Sequence, residues 1–221
     1  MKATLSIVLL LTFVATFVPG IASADSLEDN INQAIGIFQR FQEIPERSVP
    51  PAVLRDAKGL AILTVVKAGF ILSGRGGTGL VVARTHNRGW SPPSAIGTGG
   101  AGFGFQIGAQ VSEFVIVLNT NEAVRAFAAG GNVQLGADLS VAAGPVGRAA
   151  EVGVTPTAAV YTYSRSQGLF AGVSLEGTVV GTRNDTNASY YGRPINPLDI
   201  LTGHVKAPPS AKRLQNVLGR Y

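Results

Sequence analysis

Two histidines, His86 and His204, in a 221-residue chain without cysteine bound what chemistry this sequence can do. There is no thiol nucleophile, no disulfide framework and no thiolate metal site; two imidazoles cannot build a multi-histidine site, although a mixed histidine–carboxylate site stays open. A Ser/His/carboxylate triad can be written from Ser164 or Ser174, His204 and Asp199. The serines fall in strand-like runs and His204 in a turn-rich segment, so nothing in the spacing brings them together. Glu176 interrupts an apolar strand-like run, Val173–Gly177. A carboxylate there must be paired, hydrogen-bonded or on a wet face, and one carboxylate alone specifies no reaction. Two stretches match G-x-G-x-x-G: Gly74, Gly76, Gly79 and Gly97, Gly99, Gly102. A phosphate cradle needs that pattern on a strand-to-helix turn, and neither match is followed by a helical pattern. The expectation is no catalytic residue, no metal and no cofactor.

The cations are more informative because they are unevenly placed. Residues 25–39 carry Asp25, Glu28 and Asp29 and no positive charge. Residues 40–88 carry Arg40, Arg47, Arg55, Lys58, Lys67, Arg75, Arg84 and Arg88 against Glu43, Glu46 and Asp56, a net of +5. Such a segment suits anionic lipid head groups, at about 1 kcal/mol per nearby Lys or Arg, or it is the ordinary solvated surface of a basic protein. Nucleic acid is disfavoured, since the chain has no dense Lys/Arg cluster and no aromatics interleaved with one.

These residues need a frame. Only 14% of the chain is charged and 46% is apolar, which excludes a disordered polymer; 28 glycines without a three-residue period exclude collagen. Met1-Lys2, an uncharged apolar run from Leu5 to Val18, the Pro19-Gly20 break and Ala22-Ser23-Ala24 together predict a signal peptide over residues 1–24. At 1.5 Å per residue this run falls short of a bilayer's ~30 Å core. The expected product is an exported domain, periplasmic or extracellular, over residues 25–221. Asn184-Asp185-Thr186 and Asn187-Ala188-Ser189 are sequons, usable only where the host glycosylates.

Ser26, with Asp29 three residues on, predicts a helix start, and Leu27, Ile31, Ala34, Ile35, Phe38 and Phe41 form its apolar stripe. Such a stripe packs on a core or enters a membrane. Ser48–Pro51 opens a shorter helix that Gly59 closes. Leu60–Val66, Phe70–Leu72 and Leu80–Val82 predict consecutive antiparallel strands around a glycine turn at Gly74–Gly79. Small–large alternation over Ile96–Val117 predicts a strand lying close to another backbone or a bend. Thr120 caps a helix over Asn121–Ala129, strand-like runs cover Val133–Ala142, Ala158–Ser164 and Leu169–Val180, and a last helix follows Pro208. The fold class is therefore α+β: a strongly bent, mostly antiparallel, glycine-rich sheet, barrel- or sandwich-like, with N-terminal, inserted and C-terminal helices.

The strings AKGLAILTVVKAGFILSGRGGTGLVVAR (Ala57–Arg84), WSPPSAIGTGGAGFGFQIGAQ (Trp90–Gln110) and VIVLNTNEAVRAF (Val115–Phe127) resemble the SYLF domain family, also described as the Ysc-type actin-binding domain. So do GPVGR (Gly144–Arg148), YSRSQGLFAGVSLEG (Tyr163–Gly177) and Tyr190-Tyr191 ahead of Asp199-Ile200-Leu201. The resemblance covers essentially all of residues 26–221 in order. It implies a lipid-binding module without catalytic activity, phosphoinositides and other anionic lipids as ligands, and actin as a partner of some members. It also gives Lys58, Lys67, Arg75 and Arg84 the greatest weight among the cations, since they lie in the strongest motif. Two features depart from it. Animal members carry a lysine-rich first helix, whereas here Arg40 is that helix's only cation. An exported chain also leaves the compartment of cytosolic actin, so a membrane or another protein partner is expected in actin's place.

Overall fold

The computed structural model describes residues 25–43, 48–87, 89–129, 132–146, 158–168 and 178–221, with backbone only for 70–73 and 101–107. The leader expected at 1–24 lies outside the described residues, as do Arg47, Arg88, Ser174 and Glu176.

Ser26 starts helix α1 (Leu27–Gln42) as a reciprocal cap: its hydroxyl accepts from Asp29 N while the Asp29 carboxylate accepts from Ser26 N. The stripe Leu27, Ile31, Ala34, Phe38 and Phe41 is buried in the core, with Ile37 added and Ile35 at its half-buried edge. The first helix therefore packs on the sheet. Full burial of a side chain such as Phe38 contributes about 2–3 kcal/mol. Helix α2 (Pro51–Asp56) opens on Pro51, whose missing N–H costs nothing at a first turn.

Strand β1 (Gly59–Ala83) then runs unbroken through the glycines expected to form a turn, and β2 (Ser94–Leu118) pairs with it antiparallel along its whole length. The register shifts between Phe70 and Ile71, where the ribbon bends. Glycine here serves close approach within one strand. A Cβ on Gly79 would lie 2.5 Å from Leu63 Cβ and 2.2 Å from Ile62 O, and one on Gly77 would lie 2.3 Å from Thr64 O. Arg84 N donates to Lys58 O at 2.8 Å. The two arms of β1 thus come side by side, and the sheet is strongly curled. Both matches to the glycine pattern sit inside strands, so neither offers helix amides to a phosphate.

The outer edge of β2 takes β5 (Val160–Gly168) on one arm and β6 (Val179–Thr182) on the other. Beyond them lie β4 (Val141–Ala143), parallel to β5, and β3 (Asn132–Gln134), antiparallel to β6. The single run expected over Val133–Ala142 is therefore two short strands around a turn. The described sheet has six strands and is mostly antiparallel.

Both faces of the central strands are covered, which explains why LAIL and VIVL read as unbroken apolar runs. One face, with Leu60, Ile62, Val82, Val115 and Val117, packs against α1, Leu54 of α2 and the last helix. The other, with Leu63, Val81, Phe114, Ile116 and Leu118, packs against Phe127 and Leu201. Phe127 belongs to α3 (Asn121–Ala128), capped by the Thr120 hydroxyl as expected, and Leu201 to α5 (Pro197–Leu201). Helix α6 (Pro209–Leu218) closes the first layer.

Helix α4 (Asn184–Tyr191) has no apolar stripe and is held by polar groups. Asn187 is completely buried; its Oδ1 accepts from Ala95 N at 2.7 Å and its Nδ2 donates to Ser94 Oγ at 2.9 Å. Tyr191 donates to Pro93 O, and Gly192 ends the helix at φ +71°, a left-handed stop. Of the two sequons, Asn187 is sealed in the folded chain while Asn184 is exposed.

Candidate functional site

The cations of residues 40–88 do not form one face. Arg40, in the last turn of α1, is held by the Glu113 carboxylate of β2: NH2 donates to Oε1 at 2.6 Å and Nε to Oε2 at 3.2 Å. That pair ties α1 to the sheet and leaves little charge for a ligand. Arg75 donates to Thr178 Oγ1 at 3.0 Å and braces β1 against the start of β6. Lys67 lies near the bend, opposite Gln110. Arg47 and Arg88 lie outside the described residues.

Arg55, Lys58 and Arg84 do converge. The fold-back of β1 sets the residue before the strand beside the residue after it, through the bond from Arg84 N to Lys58 O. Arg55, in the last turn of α2, stands next to both, and the three line one cavity of about 890 Å³ at this end of the sheet. Arg125 of α3 supplies a fourth cation from the opposite wall. Sequence reasoning missed Arg125 because it falls in residues 89–182, whose net charge is −2; its helix is legible, the approach of that helix to Lys58 is not.

The four differ in mobility. Arg84 is half-buried, its guanidinium 3.8 Å over the Trp90 ring and its NH2 donating to Leu54 O at 3.0 Å. Cation–π stacking and a carbonyl partner fix the direction of that fork. Burial pulls its pKa below the ordinary arginine value, the sign of a cation partly stripped of water. Arg55, Lys58 and Arg125 are exposed, and no side chain among the described residues comes within ion-pairing distance of them. Asp56 is the one acidic side chain among the described residues that line the cavity.

Among the described residues considered for catalysis, Ser164 makes no hydrogen bond to His204 or Asp199. Ser164 is exposed on β5 opposite Phe114, while His204 pairs through Nδ1 with Thr202 Oγ1 at 3.0 Å. His86 lines the cationic cavity. Among the described residues no group of three or more His, Asp or Glu is placed to hold a metal, and no helix is long and apolar enough to cross a membrane.

The family model described as Ysc84, Las17-binding protein actin regulator, matches residues 99–221, which include Arg125 and the α3–α5 wall. Human SH3 domain-containing YSC84-like protein 1 is 47% identical over 203 residues, covering 89% of this chain and 59% of its own length. The Xenopus laevis protein of the same name is 46% identical over 204 residues, 89% of this chain and 61% of its own. Protein YSC84 of Saccharomyces cerevisiae is 48% identical over 177 residues, 78% of this chain and 38% of its own. The chain thus spans less than two thirds of these relatives' own length. By the family model over residues 99–221 and by 46–48% identity to these relatives, this chain belongs to the Ysc84 (SYLF) family.

Proposed function

We propose that the chain is a non-enzymatic binding module that engages anionic phospholipid head groups at a membrane surface. The observation that carries this reading is the convergence of Arg55, Lys58, Arg84 and Arg125 on one cavity whose described lining holds one acidic side chain, Asp56. At about 1 kcal/mol per cation near a charged surface, four contribute roughly 4 kcal/mol, close to three decades in partitioning. The apolar stripe of α1 is in the core, so electrostatics and not helix insertion would supply most of the attraction. The leader expected at residues 1–24 would place this activity outside the cytosol, on the membrane surface facing that compartment.

Co-sedimentation of residues 25–221 with phosphatidylcholine vesicles, with and without phosphatidylserine, tests this. Binding that rises with anionic lipid and falls with salt is expected; binding indifferent to both contradicts it. A protein partner is the second reading, favoured by the family's description as a Las17-binding actin regulator. It is supported if one saturable protein partner is recovered by cross-linking while vesicles of every composition fail to bind.

A further inference from the structure

The chain has two histidines, far apart in sequence, and the fold sets both on adjoining turns beside the cationic cavity. His86 belongs to the turn that reverses the chain between Arg84 and Trp90. Thr85 N donates to Gly89 O at 3.0 Å and Gly89 N donates to Asn87 Oδ1 at 3.3 Å, so the backbone carrying His86 is closed on itself. His86 is exposed and lines the cavity. His204 follows α5, where Gly203 takes φ +80° and His204 N donates to Asp199 O at 3.1 Å. The two turns lie against each other: a Cβ on Gly203 would stand 3.1 Å from Thr85 Cγ2.

Thr202, itself part of the cavity wall, holds the His204 ring there. Its hydroxyl donates to Leu198 O at 2.8 Å and lies 3.0 Å from His204 Nδ1. With that proton committed to the helix carbonyl, Nδ1–H donates to Thr202 Oγ1, and Nε2 is the nitrogen that gains or loses a proton. The bond to Thr202 is thus kept in both charge states, and the ring stays beside the cavity as it titrates.

The charged and titratable groups around these rings are Arg55 and Asp56 of α2, Lys58 of the α2–β1 link, Arg84 at the end of β1 and Arg125 of α3. Tyr221 adds a phenol to the lining, Asp199 sits in the first turn of α5, and Lys206 follows His204 by two residues. Arginine, lysine, tyrosine and carboxylate side chains ordinarily hold one charge state between pH 5 and 8, the interval in which histidine changes its own. The lining carries four cations against Asp56, and two imidazolium charges raise that balance from three to five. Both histidines are exposed, so protons reach them without any opening of the fold.

We infer that His86 and His204 form an acid-responsive switch: their protonation strengthens the hold of this face on an anionic surface, and their deprotonation relaxes it. The inference rests on the binding reading above and adds its regulation. A negative surface favours the charged imidazole, so binding takes up protons and tightens as pH falls. Each imidazolium contributes about fivefold in partitioning, the increment for one cation near a charged membrane, and the pair about thirtyfold.

Residues 25–221, which contain both cores, are sedimented with phosphatidylcholine vesicles carrying phosphatidylglycerol, whose phosphodiester stays ionised throughout, at constant ionic strength. The readout is the ratio of partition coefficients at about pH 5.5 and about pH 8. It should be about tenfold to thirtyfold for the unsubstituted chain, about threefold to fivefold for His86→Gln or His204→Gln, and below about twofold for the two together. His86→Lys with His204→Lys places permanent charge at both positions. That chain should bind at the higher pH as tightly as the unsubstituted chain binds at the lower one, with no further gain from acid. Melting temperatures at both pH values verify that the chains compared are folded.

Binding of the unsubstituted chain that ignores pH, or a pH response kept by the double glutamine variant, overturns the switch and leaves the membrane reading standing. Failure of every chain to bind at either pH, the double lysine variant included, overturns both.

Discussion

The two ends of the bent ribbon share one sheet and differ in almost everything else. At the closed end the arms of β1 meet so tightly that Gly77 and Gly79 have no room for a Cβ. Helices α2, α3 and α5 cover that end, and the cations converge there. Towards the bend, Gly74 has nothing within 4 Å of an added Cβ, and the cross-strand pair Val66 and Val111 is 47% and 44% exposed. Lys58 and Lys67 belong to the same basic segment, yet nine residues of strand put them roughly 30 Å apart along β1. A net of +5 over 49 residues is thus no evidence of a basic face. The path of the strand decides which charges meet.

The largest expected effect contrasts these ends through glycine. Gly79→Val drives branched carbons into Leu63 and the Ile62 carbonyl and should cost about 3 kcal/mol or more in thermal or urea unfolding. Gly74→Val, facing open space, should stay within about 0.5 kcal/mol. Equal costs would mean that the arms of β1 do not meet as described.

Alkaline pH should loosen the covered end next. Burial raises the pKa of Tyr191, whose hydroxyl donates to Pro93 O in the link that carries Trp90, and of Tyr163 on β5. A phenol whose folded pKa is raised stabilises the fold below its unfolded value near 10, and that contribution is lost as pH climbs above it. Urea midpoints should therefore fall above about pH 10, and less so in Tyr191→Phe.

A smaller effect is expected at Arg40 and Glu113. With Arg40 39% exposed and Glu113 20%, a double-mutant cycle should return about 1 kcal/mol or less, shrinking with salt. Smallest is the bend: Val66→Thr with Val111→Thr should change stability by under about 0.5 kcal/mol, because both side chains already meet water.

Much of this was legible from local patterns. Ser26 with Asp29, the stripe of α1 and the alternation in β2 each depend on neighbours within a few residues, and each was found where expected. The run Gly74–Gly79 predicts a turn because glycine marks turns locally. What it answers is the opposing arm at Leu63, sixteen residues earlier, which no period reveals. Helix α4 lacked a signal because its anchors are Asn187, Tyr190 and Tyr191, bonded to Ser94, Ser210 and Pro93, and not an apolar stripe. The site was half legible: Arg55, Lys58 and Arg84 stood among the candidates, while the neutralisation of Arg40 by Glu113 and the arrival of Arg125 are products of tertiary packing.

The central claim is that charge acts at the closed end. Affinity for phosphatidylserine-containing vesicles, measured on the doubly substituted Lys58→Gln/Arg125→Gln chain and on Arg40→Gln/Lys67→Gln, removes the same net charge from different places. The account predicts a loss of about tenfold or more for the first pair and less than about twofold for the second. Equal losses would show that net charge, and not the cavity, governs binding.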